Sequence, residues 1–393
     1  MSHSAWNKDI PVEKSQYIDD ESVYILNRDN FVFEKSRPTM IDLFCGAGGF
    51  SVGAELVGFQ SILGVDHLKP AMDTWMFNHA HSVGCLGDIG KIDANEFKMF
   101  FIERGVSSFD LITGGVPCQG FSRANRKHTD FDSRNFLFLE YMRFVKVFNP
   151  KFIILENVSG MRTTASGYFE REIKSSMEEL GYSVSVKLVN AADYGVPQVR
   201  QRLIFVGVRK NCGLMNVYDF PVGKYRNHYN TVYDAISDLP PLLNGESKTE
   251  YESNPVTDYQ KLMRGFGDIE IKQPDHLYNH AAPNHSDDVL RMIESTKPGY
   301  PMYKKFKQRI RLRYDLPSPT QLAGGIRPQF QFGHPEQVRG LSIRERARIQ
   351  SFPDSYVFCG GITQERVQTG NAVPPLLIYN LLKPIYDNIL SRC

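Results

Sequence analysis

Residues 39–66, TMIDLFCGAGGFSVGAELVGFQSILGVD, read as a strand, a glycine-rich turn, a helix and a second strand. Apolar residues dominate 40–44 and 61–65, with Asp42 and Ser61 as single exceptions and no regular polar alternation, the pattern of strands buried on both faces. Between them 50–57 has helical spacing, and Gly46, Gly48 and Gly49 let the backbone bend sharply where the first strand ends. The same unit recurs outward. Apolar runs at 111–113 and 152–155 are set apart by helical segments at 71–78, 94–104 and 136–147. This alternation predicts an α/β fold, a doubly wound and mostly parallel sheet covered by helices. The last two runs, 184–189 and 203–208, are joined only by residues 190–201, too short for a crossover helix. The last strand is therefore expected to be antiparallel.

The chain has 393 residues, 41% hydrophobic and 23% charged, which fits a soluble globular protein of two or three domains. No apolar run approaches the ~18–20 residues of a membrane span, and the greasiest, 152–155, stops at Glu156. The polar start MSHSAWNKDIPVEKSQ lacks the apolar core of a signal peptide. Cys45, Cys85, Cys118, Cys212, Cys359 and Cys393 show no regular spacing and no CxxC pair. That argues against a disulfide framework or a structural zinc site and for a reducing, cytoplasmic location. The formal net charge is only +2, yet residues 301–350 hold eleven Lys/Arg against three Asp/Glu. The segment is thus +8 and the rest of the chain −6. A local basic excess is the usual footprint of a polyanionic partner, with a solvated face as the bland alternative.

After Lys210 the texture changes. Residues 211–300 lack periodicity and read as a second, irregular domain with little regular secondary structure. Regularity returns at 341–352, a short helix started by Ser342 with Glu345 three residues on, a capping box. In 374–390, Leu377, Leu381, Leu382, Ile385, Ile389 and Leu390 share one helical stripe, so the chain is expected to return to its first domain. The expected divisions are an N-terminal extension (1–37), a sheet domain (38–210), a second domain (211–365) and a returning helix (366–393). The apolar snippets at 23–26 and 31–33 are expected to lie on the main body.

Four sites at strand ends carry chemistry. The turn of IDLFCGAGGF (41–50), with Asp66 ending the next strand, suits an adenosine-bearing cofactor. An NAD site or a purely structural turn would look alike; the GxGG spacing, with Asp88 after a further strand, favours S-adenosylmethionine. In GGVPCQGFS (114–122), Cys118 sits in a Gly/Pro/Gln loop rather than inside an apolar run, and a thiolate there would be nucleophilic. In ENVSGM (156–161), Glu156 ends a very apolar strand, where a partly dehydrated carboxyl can act as a neutral acid; helix capping is the structural alternative. In QVRQR (198–202), alternation puts Gln198, Arg200 and Arg202 on one face, suited to an anion or to steadying Glu156.

The order IDLFCGAGGF, VPCQGFS, ENV, QVRQR, RGLSIRERARIQSFPDSY and QTGNAVPP resembles the cytosine-5 DNA methyltransferases over residues 39–210 and 316–393. Val116 departs from a pattern that often has proline before PCQ. The resemblance implies a Rossmann-like, S-adenosylmethionine-dependent fold, S-adenosylhomocysteine as product, and a target-recognition domain in the variable region. It implies that Cys118 attacks carbon 6 of a flipped-out cytosine, with Gln119 and Asn157 beside it. Glu156 would hold ring nitrogen 3, and Arg202 and Arg200 would steady it. Asp42, Phe44, Gly46, Gly48, Gly49, Asp66, His67, Asp88, Ile89, Pro117, Leu137, Asn371, Ala372 and Val373 would surround the cofactor. Ser122, Arg123, Arg126, Lys304, Lys305, Arg311, Arg313 and Thr320 would meet DNA, with Lys307 and Arg309 in the same basic run. No metal is implied. Double-stranded DNA is the expected substrate and a companion restriction endonuclease an expected partner, the enzyme itself being a monomer with no membrane association.

Three other readings remain on residues alone. The same chemistry could act on tRNA, since one branch of the family does so. The fold could serve as a non-catalytic adaptor, although every catalytic position is filled. A NAD-dependent enzyme would leave Cys118 with Glu156 unexplained.

Overall fold

Strands without polar alternation need cover on both faces, and the first of the chain's two compact units supplies it. The computed structural model describes residues 12–14, 23–117, 137–162, 167–323 and 331–391. The first unit comprises 1–190, 201–222 and 378–393, the second 191–200 and 223–377. In chain order the elements are β1 (Val12–Lys14), β2 (Tyr24–Leu26), β3 (Thr39–Leu43), α1 (Gly49–Val57), β4 (Gln60–Asp66) and α2 (Lys69–Asn78). Then come β5 (Val83–Leu86), α3 (Ala94–Glu103), β6 (Leu111–Gly115), α4 (Leu137–Phe148), β7 (Phe152–Val158), α5 (Tyr168–Glu179) and β8 (Tyr182–Asn190). The two-residue β9 (Gln198–Val199) belongs to the second unit, and β10 (Gln201–Arg209) returns to the first.

The sheet runs β1-β2-β5-β4-β3-β6-β7-β10-β8. Its centre, β5 to β7, is parallel. As expected of the last strand, β10 is antiparallel to both neighbours, β7 and β8. The snippet at 23–26 extends the opposite edge, where β2 pairs antiparallel with β5. Right-handed crossovers place α3, α4 and α5 together on one face, where Phe97, Phe101, Phe138, Phe144, Phe169 and Ile173 join one core with the strands. Met72, Trp75 and Met76 of α2 form a separate cluster. Two features differ from the expected pattern. Helix α5 is strongly polar and buries only Phe169, Ile173 and Met177, a stripe too thin to stand out in sequence. The run 198–208 is two strands, because β9 pairs with Ser318–Pro319 while β10 joins the large sheet.

The second unit contains α6 (Val232–Ile236), α7 (Asp258–Met263), α8 (Asp287–Ser295), β11 (Ile310–Arg311), β12 (Ser318–Pro319), β13 (Phe332–Gly333), α9 (Ile343–Ile349) and α10 (Ile362–Asn371). Helix α11 (Pro375–Leu390) follows, and from Ile378 onward it counts with the first unit. The basic segment proves to be largely internal. Arg309, Arg311, Arg339, Arg344, Arg346 and Arg348 are all buried. Every residue of α9, IRERARI, is buried, and its capping box of Ser342 and Glu345 is present. The Arg348 guanidinium is held between Asp354 and Asp238, the latter 3.0 Å away. Arg339 forks onto Glu345 at 2.8 and 2.6 Å. Much of the +8 is therefore matched by buried carboxylates and carbonyls rather than offered to solvent. No helix among the described residues is long and apolar enough to cross a membrane.

This network contributes to how stability responds to acid. Burial holds His334 down at about 4, and its Nδ1 accepts from the Glu336 and Gln337 amides. Burial alone would raise Glu345, but Arg339 overrides it and holds the carboxyl at about 2. Both groups bind protons more weakly folded than unfolded, so their contributions are complete above the unfolded values. They are lost as pH falls, for His334 between about 6.5 and 4 and for Glu345 between about 4.5 and 2. Asp42 and Glu365, which burial raises to about 7, gain stability over the same range, so the His334 share is read as a difference. The stability gap between wild type and His334→Gln is expected to shrink from pH 7 to pH 4, and a constant gap contradicts this.

Candidate active site

Strands β3 and β6 are neighbours, but β3 leads to β4 on one side and β6 to β7 on the other. In open α/β sheets ligands bind in the crevice at the carboxyl ends of such a pair. The turn after β3 carries positive φ at Gly46 (52°) and Gly48 (81°), and also at Phe44 (58°). Gly48 is the residue on which α1 begins. The turn is pinned by the Cys45 amide on the Val65 carbonyl (2.9 Å) and the Gly48 amide on the Cys45 carbonyl (2.8 Å). A Cβ on Gly46 would meet nothing within 4 Å. Backbone conformation therefore demands glycine here, and the turn keeps an open side.

Beneath the turn lies a polar cluster. Asp42 is fully buried; its carboxylate accepts from the Ser51 hydroxyl (2.6 Å) and the Thr113 hydroxyl (3.0 Å). Trp75 Nε1 donates to the Ser51 hydroxyl at 2.9 Å. One carboxylate thus ties β3 to α1 and β6. Burial lifts it to about 7, against the pull of the Ser51 and Thr113 hydrogen bonds. Burial, with Asp66 and Asp42 nearby, also pushes the Cys45 thiol well up, which keeps it neutral and unreactive.

Asp66 ends β4 and accepts from the Gly46 and Leu68 amides, each at 2.8 Å. Burial raises its carboxyl, and those amides pull it back. His67 is exposed, its Nδ1 3.5 Å from Asp66. Asp88, after β5, is exposed and accepts from the Gly90 amide at 3.0 Å; Ile89 is buried. The ends of β3, β4 and β5 thus present a glycine turn, Asp66 and Asp88 side by side. Leu137 and Pro117 are half-buried.

On the other side of the switch point, β6 runs through Val116 and Pro117 toward Cys118. Cys118, Gln119, Ser122, Arg123 and Arg126 lie outside the described residues. Glu156 stands opposite Gly115 across β6 and β7, and opposite Ile204 across β7 and β10. Arg202, two residues before Ile204, is its diagonal neighbour on the same face. Their Nε–Oε1 distance is 2.6 Å, and both side chains are largely buried. Asn157 donates to the Val116 carbonyl at 3.3 Å, fastening the end of β7 to the root of the Cys118 loop.

Other expected site residues fall in the second unit. Arg200 is buried and donates to the carbonyls of Gln321 (3.1 Å) and Gly370 (3.0 Å). Arg200 falls in the break between β9 and β10, so the regular alternation expected of one strand over 198–202 is interrupted there. Asn371 is exposed, and Ala372 and Val373 are buried. Arg311 is buried with its donors on the carbonyls of Ile293, Thr296, His334 and Glu336, which leaves it no free edge for a phosphate. Arg313 is exposed and paired with Asp315 at 2.8 Å. The Thr320 hydroxyl donates to the Val199 carbonyl at 2.8 Å. Lys304 and Lys305 are exposed. Ser51, Thr113 and Trp75 escaped the sequence reading. Thr113, a hydroxyl inside an otherwise apolar strand, was the available signal.

Comparison with known proteins agrees with this geometry. Residues 38–387 match the family of C-5 cytosine-specific DNA methylases. Type II methyltransferase M.DdeI of Desulfomicrobium norvegicum is 36% identical over 387 residues, covering 89% of each chain. Type II methyltransferase M1.HphI of Haemophilus parahaemolyticus is 37% identical, covering 86% of this chain and 84% of that one. Among solved structures, a DNA modification methyltransferase encoded within an Escherichia coli prophage superposes with a TM-score of 0.74 at 27% identity, covering 90% of this chain and 99% of that one. The chain belongs to the C-5 cytosine-specific DNA methylase family and is a DNA cytosine-5 methyltransferase.

Proposed function

We propose that the enzyme methylates carbon 5 of a cytosine flipped out of a specific duplex DNA sequence, through a transient bond to Cys118. We further infer that it is the modification half of a restriction-modification system, as the Type II names of its relatives suggest for this chain. The observation that carries the mechanism is the Glu156–Arg202 pair at 2.6 Å, on the strand that Asn157 fastens to the Cys118 loop.

Addition to carbon 6 and methyl transfer to carbon 5 both come from above or below the ring plane, where neighbouring bases stack, so the nucleotide must leave the helix. The Cys118 thiolate adds to carbon 6, and the displaced electron pair moves toward ring nitrogen 3. There Glu156 donates a proton while Arg202 fixes its carboxyl, so charge is met by groups already in place. Carbon 5, now electron-rich, accepts the methyl group. Water then takes up the carbon 5 proton as the Cys118 thiolate departs, and the proton on ring nitrogen 3 returns to Glu156, which restores the aromatic ring.

S-adenosylmethionine, when bound, supplies an electrophilic methyl group. The first unit has the donor set for it: the open glycine turn suits the amino-acid end, Asp66 the ribose hydroxyls and Asp88 the adenine amino group. Asp42 holds the turn from below, through Ser51 and Thr113.

The test is a mixed-sequence duplex substituted with 5-fluorocytosine. Fluorine cannot leave as a proton, so the adduct should persist as a shifted band on a denaturing gel. A cofactor-loaded reaction without such a band contradicts covalent catalysis.

A further inference from the structure

The second unit carries a built ribbon that meets the network around α9 at its base, where Arg311 Nε donates to the His334 carbonyl. The Gly299 amide donates to the Arg311 carbonyl (2.7 Å), Arg311 to Tyr300 (3.1 Å) and Met302 to Arg309 (2.8 Å). Pro301 and Ile310 form an antiparallel bridge. The ribbon closes in a turn where the Arg309 amide meets the Phe306 carbonyl at 2.9 Å, with Lys307 and Gln308 at its apex. Residues 297–313, KPGYPMYKKFKQRIRLR, contain seven Lys/Arg and no Asp or Glu.

Rigidity distinguishes this ribbon from an ordinary charged loop. At its base the Arg311 guanidinium grips the last carbonyls of α8, Ile293 and Thr296, each at 3.1 Å. Strand β11 pairs with β13, and Met302 packs on Ile293. Near the tip the Arg309 guanidinium lies over the Tyr303 and Phe306 rings, 5.9 and 4.6 Å from their centroids. Lys304, Lys305, Lys307 and Gln308 are left exposed, and none of the three lysines is in an ion pair with a described residue.

We propose that the ribbon 299–311 enters the major groove and that Lys307 and Gln308 read base edges, while Lys304 and Lys305 hold phosphates. This rests on the enzyme acting on duplex DNA. A two-stranded ribbon fits the width of the major groove; lysine matches the guanine N7 and O6 acceptors, and glutamine the adenine N7 and N6 pair. Carbonyl-bound Arg311 serves as the ribbon's anchor.

The experiment scores methylation of a randomised duplex pool by wild type, Lys307→Ala, Gln308→Ala and Lys304→Ala/Lys305→Ala, each first shown by circular dichroism to be folded. The two apex variants should lose discrimination at one or two base pairs of the site by about tenfold to a hundredfold. The double variant should keep the site, bind all sequences more weakly, and lower the salt slope by about 0.9 per lysine. Apex variants that keep wild-type preference at every position overturn the inference, even if affinity falls. If wild type methylates no cytosine in any duplex, the enzymatic reading itself fails.

Discussion

Cys118→Ser is expected to lower methyl transfer by about 10⁴-fold or more, the scale of losing a covalent nucleophile. A serine hydroxyl is far less ionised than a thiol near neutral pH, and the glycine turn and the Glu156–Arg202 pair do not supply a strong base for it. DNA and cofactor binding should survive, because the substitution leaves the sheet ends and the second unit's exposed lysines untouched. Cys45 and Cys85 are buried, and burial pushes both thiols well up. Incorporation of labelled methyl groups into duplex DNA, with binding followed by gel shift, separates the two effects. Residual turnover within tenfold of wild type contradicts the role given to Cys118.

The second large effect concerns stability. Arg348 lies between Asp238 and Asp354, and all three side chains are fully buried. Arg348→Met fills similar space but takes from Asp238 and Asp354 the cation that bridges them, leaving the longer contacts to Arg264 (3.4 Å) and Arg344 (3.8 Å). Removing one partner of a buried pair costs about 3–5 kcal/mol, a large share of a typical ~5–15 kcal/mol total. Arg348→Lys should recover part of the loss, since it restores charge but not the planar fork that spans both carboxylates. Urea denaturation followed by circular dichroism measures this. A destabilisation under about 1 kcal/mol would place the pair with surface salt bridges and contradict the account.

The sheet was legible because its strands are buried on both faces, so 40–44, 61–65 and 152–155 stood out as mostly apolar runs, interrupted only by Asp42 and Ser61. Helix α5 was not, because its buried stripe of Phe169, Ile173 and Met177 is diluted by charged neighbours. In the second unit, α6 and α7 open on capping boxes, Thr231 with Asp234 and Thr257 with Gln260. That signal was present in the sequence but is easily lost without apolar periodicity behind it. Glu156 and Arg202 were each readable as strand-end residues. Alternation in 198–202 and the family resemblance pointed to Arg202 steadying Glu156, but the β7–β10 register that pairs them is encoded in no local pattern. The arginines of 309–348 misled most: sequence counts charge, while burial among carbonyls and carboxylates decides which charges face a partner. Arg311 and Lys307 are equal in composition and opposite in placement.

The most direct test incubates the purified enzyme with mixed-sequence genomic DNA and S-adenosylmethionine and maps modified bases at single-nucleotide resolution. The expected result is 5-methylcytosine at one recurring sequence and no methyl group on adenine or on the exocyclic nitrogen of cytosine. Methylation at either of those positions, or of tRNA in place of DNA, would contradict it.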